Sequence, residues 1–120
     1  MRIIFAIAIL SFFFVSCGED CKFNAITNES LQDGIVGQEY NEQLYYDISC
    51  SYASKSVELV KGELPPGIEL QGDGKFSGIP TEAGEFAFTV KMRICFSSNG
   101  YQYTDCTDRT KEFTITIHEQ

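Results

Sequence analysis

The sequence predicts an all-β domain, a two-layer sandwich of about seven strands. Three observations carry this. Phe86, Phe88, Val90, Met92 and Ile94 alternate with Ala87, Thr89, Lys91 and Arg93, the period of two that marks a half-buried strand. Short apolar runs are punctuated by turn formers, as at Asp33-Gly34, Gly72-Asp73-Gly74 and Asn99-Gly100. No segment sustains the helical period.

The chain opens on a targeting pattern rather than on the domain. Arg2 supplies a positive start, and Ile3–Val15 is an apolar run too short to span a bilayer and of the length of a signal-peptide core. Phe14-Val15-Ser16-Cys17 resembles a bacterial lipobox, with Phe14 where leucine is usual. The resemblance implies cleavage after residue 16 and a diacylglycerol-bearing, palmitate-type lipid anchor on Cys17. Several acyl chains on one cysteine hold a protein on a membrane where a single chain does not. The expected address is the cell envelope, at the outer membrane, with the domain either outside the cell or facing the periplasm. Residues 17–22 then form an acidic tether around Gly18-Glu19-Asp20, which resembles the export signals of some surface lipoproteins. The domain is expected over residues 23–120.

Composition bounds the partners. Of the 120 residues, removal of 1–16 leaves 104, enough for one domain with one modest core. Arg2 is the one charged residue lost, so the formal charge moves from −8 to −9. That acidity argues against nucleic acid and against a polybasic membrane patch. Contact with the membrane is expected through the lipid alone.

Beyond Cys17, four cysteines remain, an even number that suits an oxidising compartment. Three pairings are open, and strand parity favours one. If Cys95 lies opposite Cys106 in an antiparallel hairpin, Phe88 falls opposite Phe113 and Phe86 opposite Ile115. Apolar then faces apolar throughout, and the disulfide lies on the outer face. Cys21 and Cys50 are left to each other. A metal site is not expected, because the spacings contain no C-x-x-C pair.

The elements follow in order. Cys21–Asn28 alternates weakly and reads as a first edge strand. Asn28–Gly37 is loop-like. Tyr40, Leu44, Tyr46 and Ile48 share a parity, so Glu39–Ile48 reads as one strand. Ser49–Ser56 is polar and reads as a loop, and Val57–Val60 as a short strand. Leu64-Pro65-Pro66-Gly67 is an extended approach ended by a turn, since proline fixes φ and glycine tolerates positive φ. Ile68 and Leu70 alternate into the Gly72-Asp73-Gly74 hairpin, Lys75–Ser77 returns with Phe76 inward, and Gly78-Ile79-Pro80-Thr81 breaks the strand. Phe86–Ile94 follows, and Lys111–His118 closes the sheet.

Leu64-Pro65-Pro66-Gly67-Ile68, Gly74-Lys75-Phe76-Ser77-Gly78-Ile79-Pro80-Thr81 and Ala83-Gly84-Glu85-Phe86-Ala87-Phe88-Thr89-Val90 together resemble an Ig domain family. Its members are cadherin-like β-sandwich modules of bacterial surface proteins. Val36-Gly37-Gln38-Glu39-Tyr40 resembles that family's usual opening. The chain departs from it in having cysteines. The resemblance implies an Ig-like, cadherin-like sandwich and a role in adhesion or interaction with a protein or glycan.

No catalytic constellation is legible. The chain has no G-x-S-x-G, no H-E-x-x-H, no phosphate loop and no GxGxxG. His118 is the single histidine and falls on an outward parity. The domain is therefore expected to be no enzyme and to need no cofactor beyond the lipid. Asp33, Asp73, Asp105 and Asp108 offer oxygens to calcium, but without an EF-hand or similar spacing. A calcium-dependent module is kept as an alternative, as is a periplasm-facing accessory subunit bound by edge pairing. The stretch that suggests binding is Tyr101-Gln102-Tyr103 with Phe96, aromatics near a disulfide-stiffened loop. One of Tyr45 and Tyr46 must also face outward.

Overall fold

A computed structural model describes residues 21–52, 54–98 and 102–120, and the side chains outside 97–105. The described residues are all strand, turn and irregular chain, with no helix among them. The strands are β1 (Phe23–Ile26), β2 (Gly34–Ile35), β3 (Tyr40–Gln43), β4 (Tyr46–Ile48), β5 (Ser54–Gly62), β6 (Ile68–Leu70), β7 (Lys75–Gly78), β8 (Gly84–Ser98) and β9 (Gln102–His118). They form a four-stranded sheet in the order β2-β9-β8-β5, a three-stranded sheet β3-β7-β6 and a two-stranded sheet β1-β4. One core gathers side chains from all three sheets, which makes the fold sandwich-like.

The β8–β9 hairpin supplies the largest part of that core. Its antiparallel ladder sets Phe86 against Ile115, Phe88 against Phe113 and Cys95 against Cys106. Val90, Met92, Ile94 and Ile115 are fully buried, and Phe88 stands between Phe76 and Phe113 with ring centroids 5.7 and 6.3 Å away. The inward positions are apolar because each lies under the opposing sheet. The outward positions are polar and pair across strands, as Lys91 does with Glu58 at 2.8 Å.

Several elements differ from the sequence expectation. Glu39–Ile48 is not one strand. It pairs with β7 as far as Gln43, then with β1 from Tyr46 onward. At the switch, Leu44 N–H donates to Gly74 O (2.9 Å) and Tyr45 N–H to Asn28 Oδ1 (2.6 Å). The alternation survives the switch, so parity alone does not reveal it. Ser54–Ser56 is strand rather than loop, because it continues the β5–β8 ladder to Ser54 opposite Cys95. β9 begins at Gln102, well before Lys111, since the polar run is held by the facing strand. β2 is a two-residue parallel pairing with Ile117-His118, too short to leave a pattern.

The Pro-Gly corner has a direct steric reason. Gly67 (φ 94°) and Gly78 (φ 138°) adopt the left-handed region that side chains disfavour. A Cβ on Gly67 would sit 2.0 Å from Ile79 O, and one on Gly78 would sit 1.9 Å from Gly67 O. Thr81 N–H donates to Pro66 O (3.0 Å) across the same crossing. Replacing Gly78 by alanine is therefore expected to lower the unfolding free energy by about 2–4 kcal/mol, strain and overlap together. Gly72→Ala, with nothing within 4 Å of its Cβ position, stays within about 0.5 kcal/mol. Urea denaturation of both variants checks the pair.

Candidate functional site

The fold distributes the residues that the sequence singles out. Cys17, the first part of the tether and Tyr101 lie outside the described residues. The backbone of Tyr103 belongs to β9, and its side chain lies outside the description. From Cys21 onward the chain is fixed. Cys21 is disulfide-bonded to Cys50 (Cα–Cα 5.5 Å), and Lys22 and Ser49 exchange hydrogen bonds beside it.

Cys95 is disulfide-bonded to Cys106, with Cα atoms 4.0 Å apart. The pairing and register are those the strand parity predicts, but the outward position does not leave both cysteines exposed. Cys106 is exposed, but Cys95 is only 7% exposed. It stands on a central strand with Ser54 on one side and Cys106 on the other, so its neighbours cover it.

Phe96 is likewise not a binding aromatic. It is 4% exposed and belongs to the core, because it continues the inward series of Phe88, Val90, Met92 and Ile94. Its proximity to a turn in sequence conceals that parity.

The charged groups are engaged separately. His118 Nε2 lies 2.9 Å from Asp33 Oδ2 on the surface. Asp73 Oδ1 accepts from Lys75 N–H (3.0 Å) within the β6–β7 turn. Asp108 takes a two-pronged contact from Arg93, Nε to Oδ1 at 2.8 Å and Nη2 to Oδ2 at 3.1 Å. Asp33, Asp73 and Asp108 thus occupy different places. Among the described residues no three carboxylate, histidine or cysteine side chains converge as metal ligands. Inward-facing Tyr40 donates its hydroxyl to Gln32 O (2.8 Å). Burial first, then the charges of Glu42 and Asp33, push its phenol above the ordinary range.

One partly exposed aromatic cluster carries no role that the sequence predicts. Tyr46 and Tyr52 meet edge to face at 5.9 Å, with the Lys55 ammonium 4.7 Å from the Tyr46 ring centroid. Tyr45 is the tyrosine of its pair that faces out, at 61% exposure. It rims an open groove of about 230 Å³ shared with Asn41, Glu42, Gln43 and Lys75.

No protein-family model matches this chain, and no curated protein matches it. Among solved structures it is similar to a protein assigned as an alpha-galactosidase from Bacteroides fragilis, with TM-score 0.52 and 19% identity over 81% of this chain. It is also similar to an endo-fucoidan hydrolase of glycoside hydrolase family 107, with TM-score 0.50 and 21% identity over 82% of this chain. At these identities the likeness concerns the fold. The chain spans 17% and 15% of the two neighbours' lengths.

Two measurements check the site description. Phe96→Ala is expected to cost about 3–5 kcal/mol of stability as a core truncation, where loss of an exposed contact residue would cost within about 0.5 kcal/mol. Separately, the Arg93 hydrogen bond, followed by its charge, holds the Asp108 carboxyl below the usual carboxylate range. The folded value lies below the unfolded one, so this pair stabilises above the unfolded aspartate value and ceases to as pH falls through the folded one. Carboxyl-carbon NMR should show Asp108 titrating lower than in the unfolded chain. Arg93→Gln should return it to the ordinary range.

Proposed function

We propose that this chain is an envelope-anchored lipoprotein whose single Ig-like, cadherin-like sandwich is a non-catalytic interaction module for a protein or glycan outside the cytoplasm. The observation that carries the reading is the lipobox-like Phe14-Val15-Ser16-Cys17 set four residues ahead of Cys21, where a disulfide-stapled β domain begins. Lipid, short acidic tether and cross-linked sandwich then follow one another without a gap. Two disulfides suit an oxidising compartment. The Ig-like assignment is supported by the crossing at Gly67 and Gly78, which accounts for the glycines at both ends of the Leu64–Thr81 motif.

The two glycosidase neighbours support a sandwich that occurs as a minor part of larger proteins. Their activities belong to chains roughly five times as long and are not transferred. The Asp and His side chains that the sequence offers for chemistry are each satisfied by a local partner where their side chains are described. That arrangement suits a surface that presents itself to a partner more than one that activates a substrate.

Protease shaving of intact cells, with a periplasmic control protein, tests the placement. Cleavage of the domain while the control survives is the expected result. Protection of both would remove the surface adhesion role. In the same cells Cys17→Ala should abolish lipid labelling and shift the protein out of the membrane fraction, and unchanged membrane retention would refute the lipid anchor.

A further inference from the structure

The groove beside Tyr45 has a more specific chemistry than an exposed loop. Pairing of β3 with β7 sets Asn41 opposite Ser77 and Gln43 opposite Lys75, so these four share the outer face of the three-stranded sheet. Several of the groups are held in place before any ligand arrives. Gln43 Nε2 donates to Asp73 O (3.1 Å) and to Leu44 O (3.4 Å), which fixes the amide. Glu42 accepts Gln32 N–H at one carboxylate oxygen (3.0 Å) and Gln43 N–H at the other (3.2 Å). Tyr45 N–H is bound by Asn28 Oδ1, so the backbone under the exposed ring is anchored. The Lys75 ammonium has no carboxylate partner among the described residues.

One aromatic face, two amides, a fixed carboxylate and an ammonium with no carboxylate partner among the described residues thus line a single open groove. An apolar peptide anchor finds only the ring there and would desolvate the polar groups without pairing them. A sugar ring uses all of them. Its C–H face packs on the tyrosine, and its hydroxyls both donate and accept. The volume of about 230 Å³ is below that of pockets for drug-sized ligands and suits one ring. We propose that the Tyr45 groove is a glycan-binding subsite that takes a single pyranose ring stacked on Tyr45. The proposal rests on the interaction-module reading and names the class of its ligand.

Affinity for one ring in so shallow a site falls in the millimolar range, on the order of −4 kcal/mol. Saturation-transfer NMR reads such binding directly. The full-length chain in deuterated detergent micelles is mixed in turn with glucose, galactose, N-acetylglucosamine and glucuronic acid. The expected result is transfer to at least one sugar, strongest at the C–H protons of one ring face. Tyr45→Ala should weaken it at least tenfold, since the side chain makes the stacking surface. Tyr52→Ala, in the separate cluster with Tyr46, should leave it unchanged. Absence of transfer to all four sugars, or transfer that survives Tyr45→Ala, overturns the proposal. Neither of those outcomes moves the cell-shaving result, so loss of the glycan subsite is distinguishable from loss of the surface-module reading.

Discussion

Two stretches of backbone cross in contact at Gly67 and Gly78, and the joining of the sheets depends on that crossing. No side chain fits between them. Thr81 N–H reaches Pro66 O on one side of the crossing, while Pro80 O receives Gly37 N–H on the other. Val36 N–H in turn donates to His118 O at the end of β9. A hydrogen-bonded path therefore runs from the corner of the three-stranded sheet, through the 34–38 segment, to the last strand of the four-stranded sheet. The prolines hold the approach extended, and each glycine supplies a backbone angle that other residues resist. Phe76, two residues before Gly78, packs over Phe88 in the core.

Much of this was legible in the residues themselves. Phe86 to Ile94 announces one face of a strand, and the demand that apolar meet apolar is enough to place Cys95 opposite Cys106. What stays hidden is pairing that leaves no apolar trace. Ser54–Ser56 and the early part of β9 are polar on both faces, and only the neighbouring strand makes them sheet. The switch of sheets at Leu44-Tyr45 preserves parity, so it is silent in the pattern. Phe96 was misplaced because proximity to a turn outweighed its parity. The groove was invisible for a different reason. Asn41, Gln43 and Lys75 converge through a cross-strand register that sequence spacing does not contain, and only the outward tyrosine of the Tyr45-Tyr46 pair was foreseeable.

Two inward-parity cations show how the open flank is managed. Arg109 Nε donates to Phe23 O (3.1 Å), and the Lys111 ammonium bonds Asn28 O while lying over the Phe113 ring. β1 has no ladder to β9, so these side chains take the place of strand pairing. They satisfy backbone carbonyls of the first strand. They also put charge on a flank where an uncovered apolar edge would invite another chain.

The Cys21–Cys50 bridge has a mechanical meaning. A pull applied upstream of Cys21 enters the fold along β1 and, across the two sulfurs, at Cys50. The chain between them, a separation of 29 residues, corresponds to roughly 100 Å of fully extended polypeptide, and it cannot be drawn out past the bridge. β1, β3 and β4, with the Tyr45 groove on their margin, lie inside that closed loop. A domain pulled from upstream of Cys21 could not lengthen by that loop while the bridge holds.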